Sequence, residues 1–185
     1  MQRNDLLVWM DLEMTSVVDA HVDRITEIAV TLTDNDLAVV AELPSIVIHT
    51  DREFYESRKR PEMAKIPSQV ELMEAAGMST VTMEEAEDQI LAFLEDYVAP
   101  QSAPLCGNSI HMDRHFLRIQ MPRLEQYLFY RCIDVSSLKE LAHRWAPEVF
   151  IEMKKRKGEG NHRATDDVFA SIGELRFYRE KLFKL

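Results

Sequence analysis

No run in this 185-residue chain approaches the ~18 uninterrupted apolar residues of a membrane-spanning helix, so no membrane is expected among its partners. Residues Met1 to Asp5 are polar, with no basic segment ahead of an apolar stretch. An export signal is therefore not expected, and the expected location is cytoplasmic. Cysteine is scarce: Cys106 and Cys132 stand in apolar surroundings at no metal-binding spacing, and both are expected to be buried free thiols in a reducing compartment. Positive charge is also short, with 22 Lys and Arg against 32 Asp and Glu and a net charge of -10. Binding along a duplex draws most of its affinity from cationic side chains that displace counterions, so the composition argues against a long duplex partner. A ligand with one or a few phosphates escapes that argument, and acidity suits a site that gathers carboxylates around divalent ions.

A 46% hydrophobic content over this length supports one folded unit, residues 1–185. Leu6–Asp11, Ile25–Thr33 and Ala38–His49 are apolar and β-branched and predict three successive strands in an antiparallel meander, with a turn at Asp34-Asn35-Asp36. Thr82 and Glu85 form a capping-box pattern, and the apolar residues that follow at helical spacing predict a helix up to Pro100. A short strand is expected at Pro104–Gly107, then a helix over Asp113–Gln120 ended by Pro122, and a strand at Arg131–Asp134. Ser137 with Glu140 predicts a helix through Trp145 stopped by Pro147, and a last helix is expected from about Arg163 to Lys184. The class is α/β, a mixed sheet of about five strands flanked by helices. Arg52–Ser68 is expected to form a surface loop and short helix. Lys154–Gly160, four basic residues against two glycines, reads as a solvated loop or as an attractor of phosphate.

Three places carry chemistry. Asp11 and Glu13 are two apart at the end of the first strand and so share a face; side-by-side carboxylates either face water or hold a cation. Asp113 follows the turn Gly107-Asn108-Ser109, a strand-to-helix position where ligands gather, although an acid also favours a helix N-terminus by itself. The last helix is preceded by His162 and opens with Asp166-Asp167. Residues five apart in one helix point about 140° from each other, so His162 and Asp167 converge only if His162 lies on the entering loop.

Together these residues resemble the DEDDh exonucleases in order and context: Asp-x-Glu on the first strand, an Asp after the fourth strand, and His-x-x-x-x-Asp at the last helix. Asp11, Glu13, Asp113, His162 and Asp167 match, while Asp166 is off register and reads as a helix-start acid. The resemblance narrows to the oligoribonucleases through Trp9-Met10-Asp11-Leu12-Glu13-Met14-Thr15, Cys106-Gly107-Asn108-Ser109-Ile110 with Asp113-Arg114, Tyr130-Arg131, Asp134-Val135-Ser136 and Leu138-Lys139-Glu140-Leu141. It implies a ribonuclease H-like fold and a 3′→5′ exoribonuclease that degrades very short single-stranded RNA to 5′-mononucleotides. Two divalent ions, Mg²⁺ or Mn²⁺, would be held by the four acids, with His162 as general base. The resemblance further implies Val17 beside a base, Met14 among the substrate-binding residues, Ser109 near the 3′ end, and Tyr130 with Arg131 supplied across a homodimer; Tyr127, Phe129 and Tyr130 are the aromatic patch such a dimer would use.

The chain departs from the family pattern in one region. No Trp occurs between Trp9 and Trp145, so the stacking Trp and the phosphate-meeting His that the family carries before the long helix are missing. Ser16-Val17 also stands in place of Gly-Leu. Arg60 and Lys65 are the residues able to stack on a base and meet phosphate there. Two other readings remain: a DEDDh exonuclease trimming longer single strands of RNA or DNA, and a non-catalytic binding module, against which the complete set of acids and His162 stands.

Overall fold

The computed structural model describes residues 2–58, 65–156 and 163–183. Three antiparallel strands come first: β1 (Leu7–Met14), β2 (Ile25–Thr33) and β3 (Val39–Val47). Helices α1 (Arg52–Arg58), α2 (Pro67–Met78) and α3 (Met83–Tyr97) follow. Strand β4 (Pro104–Gly107) then pairs parallel to β1, with β5 (Phe129–Asp134) parallel to β4 beyond it, giving the sheet order β3-β2-β1-β4-β5. Between β4 and β5 run α4 (Ile110–Gln120) and α5 (Pro122–Tyr127); after β5 come α6 (Val135–Trp145), α7 (Pro147–Arg156) and α8 (Ala164–Leu182).

The alternation of β1 sorts the core into two layers. Val8, Met10 and Leu12 pack with Ile90 and Leu94 of α3 and with Phe116 and Leu117 of α4. Trp9 points the other way, into a cluster with Ala142 of α6 and Ala164, Val168 and Ile172 of α8. All nine residues of β2 are buried, as expected of a strand covered on both faces. Thr82 and Glu85 make the expected reciprocal capping box at the start of α3.

Several expectations need correction. The helix expected from Ser137 begins at Val135, because Asp134 at the end of β5 accepts from the backbone N–H of Ser136 and caps it three residues earlier. Pro67, Pro122 and Pro147 each open a helix. Proline at the first helical position loses no intrahelical hydrogen bond, so a residue that stops one helix can start the next. Thus α2, α5 and α7 are additional helices. Lys154, Lys155 and Arg156 form the last turn of α7, where they complement the helix dipole, and the remainder of that basic run lies outside the described residues. Helix α4 begins three residues before Asp113. Cys106 is buried as expected, but Cys132 on the edge strand β5 is exposed, and its sulfur accepts from Arg114.

At Gly107, last residue of β4, the chain passes close to β1. A Cβ there would lie 2.8 Å from Cδ1 of Ile110 and 2.9 Å from the Met10 carbonyl oxygen. The backbone contact cannot yield as a side chain can. Gly107→Ala is expected to lower the unfolding free energy by about 1–3 kcal/mol, read from the urea midpoint. An unchanged midpoint would mean that Ile110 and β1 repack freely.

Candidate active site

Asp11 and Glu13 share the β1 face that carries Trp9, as the two-residue period predicts, so both carboxylates stand on the side covered by α8. Helix α8 brings Asp167 to them from its first turn. One carboxylate oxygen from each of Asp11, Glu13 and Asp167 falls within 4.8 Å of the others, and all three residues are partly buried. Asp113 arrives from the opposite face, in the first turn of α4. Its Oδ1 accepts from the Leu12 backbone N–H at 2.9 Å, which ties it to β1 between the two acids, beside the group of three rather than within it.

Burial pushes the Asp11 carboxyl well above its ordinary value of 3.8, and the negative charges of Asp113, Asp167, Glu13 and Glu27 push it further. Burial likewise raises Asp113 to about 7, against the hydrogen bonds from Leu12 and from its own backbone. Carboxylates driven toward protonation by burial and mutual repulsion form a site short of positive charge. Hard oxygen donors at this spacing suit a divalent metal ion.

Glu13 and Glu27 are partners across the β1–β2 ladder. Gln69 of α2 donates its side-chain amide to Glu13 at 2.9 Å and is itself buried. Glu27 is buried beneath the start of α8 and receives Arg163 in a two-pronged contact. Burial alone would raise the Glu27 carboxyl, but hydrogen bonds from Arg163 and Ser45 outweigh it and hold the group below its ordinary value. Both residues escaped the sequence reading. Glu27 left a signal, a charged residue within the otherwise uncharged run Ile25–Thr33, which burial on both faces obliges to find a partner. Gln69 left none.

Ser109 adopts a left-handed conformation (φ 52°) ahead of α4. Its N–H donates to Asp134 and Ser136, and its hydroxyl lies 3.1 Å from that of Ser136, so the β4–α4 turn is tied to the start of α6. Met14 ends β1 partly buried against the α3/α4 layer, and Val17 is exposed in the segment that follows. Tyr130 and Arg131 lie exposed on β5, two strands from β1; Arg131 donates to the Tyr130 hydroxyl at 3.0 Å and covers its ring. The Phe129 ring packs against that of Tyr130 at a tilt of 56°, whereas Tyr127 donates its hydroxyl to the Val98 carbonyl. Lys65 is exposed, and Asp166 sits in the first turn of α8 as expected. His162 and Arg60 lie outside the described residues; Arg163, which follows His162 in sequence, has extended backbone and precedes the first turn of α8.

Residues 8–175 match the model of the exonuclease family RNase_T. The chain is 49% identical to the oligoribonuclease of Halorhodospira halophila, over 97% of this chain and 95% of that protein. It is 48% identical to the oligoribonuclease of Pseudomonas aeruginosa over 100% of both. Among solved structures it is similar to the zinc-bound complex of E. coli exonuclease I with single-stranded DNA, with a TM-score of 0.72 and 14% identity over 96% of this chain. It spans 41% of that longer chain. This likeness concerns the fold, a ribonuclease H-like mixed sheet flanked by helices.

Proposed function

We propose that this chain, which belongs to the exonuclease family and within it to the oligoribonucleases, is a 3′→5′ exoribonuclease that degrades very short single-stranded RNA to 5′-mononucleotides. The observation that carries the reading is the meeting of Asp11, Glu13 and Asp167, drawn from opposite ends of the chain, in a partly buried site beside Asp113.

Asp11, Glu13, Asp113 and Asp167 would hold two divalent ions, Mg²⁺ or Mn²⁺, whose charge would offset the four carboxylates. Such ions, when bound, supply Lewis-acid polarisation of a scissile phosphate and lower the pKa of an attacking water. His162 would take the proton from that water. An ordinary imidazole, with a pKa near ~6.5, is mostly neutral at mildly alkaline pH and able to do so. Val17 would lie against a base, with Met14 among the substrate-binding residues and Ser109 near the 3′ end. In a cytoplasmic homodimer of single-domain protomers, Tyr130 and Arg131 of one protomer would close over the 5′ phosphate bound by the other. That cap selects length by shape, which agrees with a net charge of -10.

The test is Mn²⁺-dependent hydrolysis of 5′-labelled RNAs two, seven and twenty residues long. The dinucleotide is expected to be cut at least about tenfold more efficiently than the twenty-residue RNA, equivalent to about 1.4 kcal/mol of transition-state discrimination. Equal or faster cutting of the longest RNA would make this an exonuclease for longer 3′ ends. An inactive protein that also failed to bind Mn²⁺ would revive the non-catalytic reading.

A further inference from the structure

Helix α8 carries Asp167 in its first turn, so the acid cluster is only as well defined as the point at which that helix begins. Arg163 occupies the N-cap position and makes no side-chain cap. The missing cap comes from another element: Glu27 of β2 accepts from the backbone N–H of Ala164, the first helical residue, at 3.3 Å. The same carboxylate accepts from Arg163 through Nε at 2.9 Å and Nη2 at 2.7 Å, and from the Ser45 hydroxyl of β3 at 2.9 Å. Glu27 is 1% exposed, and both its oxygens are engaged, Oε1 by Ser45 and Arg163 and Oε2 by Arg163 and Ala164. It also sits opposite Glu13 in the β1–β2 ladder, so the residue that receives α8 is registered against the strand that carries the other acids.

We propose that Glu27 is a positioning residue: from β2 it caps and clamps the start of α8, and through Arg163 it holds Asp167 in reach of Asp11 and Glu13. A cap alone does not account for this arrangement. A Ser, Thr or Asn at the N-cap would cap the first turn of α8, through the N–H of the second or third helical residue, without placing another carboxylate beside crowded acids. The two-pronged Arg–carboxylate contact adds orientation as well as attraction, and Arg163 offsets the added charge. The proposal rests on the exoribonuclease reading for its kinetic readout and on the acid cluster alone for its binding readout.

Wild type, Glu27→Gln, Arg163→Gln and the double variant would be compared by kinetics on an RNA dinucleotide with Mn²⁺ and by calorimetric titration of Mn²⁺ without RNA. Folding would be checked by circular dichroism. Each of the first two substitutions is expected to lower kcat about 10²-fold, as small misplacements in an active site do, with KM changed less than about threefold and Mn²⁺ affinity reduced at least about tenfold. The double variant should be no worse than either single one, the behaviour of residues acting as a unit. Lower thermal stability with unchanged kcat and Mn²⁺ affinity would overturn the proposal, as would losses that multiply in the double variant. If Glu27→Gln does not fold, Glu27→Asp, which keeps the charge and shortens the reach, is read by the same criteria. A wild type that binds Mn²⁺ but leaves the dinucleotide intact would defeat the exoribonuclease reading, and the Mn²⁺ titrations would still decide the role of Glu27.

Discussion

Asp113→Asn is expected to eliminate hydrolysis and yet to make the metal-free protein more stable at pH 8. The carboxylate is 6% exposed, and burial raises its pKa from the ordinary 3.8 to about 7. The folded chain therefore binds this proton more tightly than the unfolded chain does. Below the unfolded value the acid is neutral in both states and costs nothing; between about 4 and 7 the cost of a buried charge grows as pH rises; above 7 it is constant. Asparagine keeps an oxygen for the Leu12 N–H and removes the charge. The gain at pH 8 in EDTA should be on the order of a few kcal/mol, or roughly 5 °C or more for a chain of this length, and smaller at pH 5. Hydrolysis should fall by more than the ~100-fold typical of losing a residue that only orients a ligand. A variant less stable than wild type at pH 8 would show that the Asp113 carboxylate is held by favourable contacts beyond Leu12.

Adding Mn²⁺ to the wild type should stabilise it. An ion that binds only the folded state stabilises it by about 2.7 kcal/mol at one hundred times its dissociation constant, which for this length corresponds to roughly 5–10 °C in Tm. The shift should be larger at pH 8 than at pH 5. Protons compete for the same oxygens, and burial and neighbouring charge raise Asp11 as well as Asp113. Asp167→Asn, which removes one of the three converging carboxylates, should lose most of the shift. No Tm change in the wild type at millimolar Mn²⁺ would remove the metal from the mechanism.

The shared face of Asp11 and Glu13 was legible because a strand has a period of two, and burial of Trp9 on that face shows the same alternation. The α3 helix was legible in Thr82 and Glu85 because a capping box is complete within four residues. A local signal misled at α6: Ser137 with Glu140 points to its start, whereas Asp134 at the end of β5 caps it three residues earlier and also accepts from the Ser109 N–H across the sheet. Pro122 and Pro147 were legible as helix stops, but a stop and a start look alike when proline at the first helical position costs nothing.

From the sequence by itself came the α/β class, the three-strand meander, four candidate acids and the family they resemble, since residue type, periodicity and motif order are properties of the chain. Tertiary structure alone decided that Asp113 is anchored to Leu12 from the opposite side of the sheet, that Gln69 reaches Glu13, and that Glu27 caps α8. Each of these is a single contact between distant segments. Such a contact depends on how the helices pack across the two faces of the sheet; the charge of Glu27 within β2 tells that a partner is needed, and only the packing decides which.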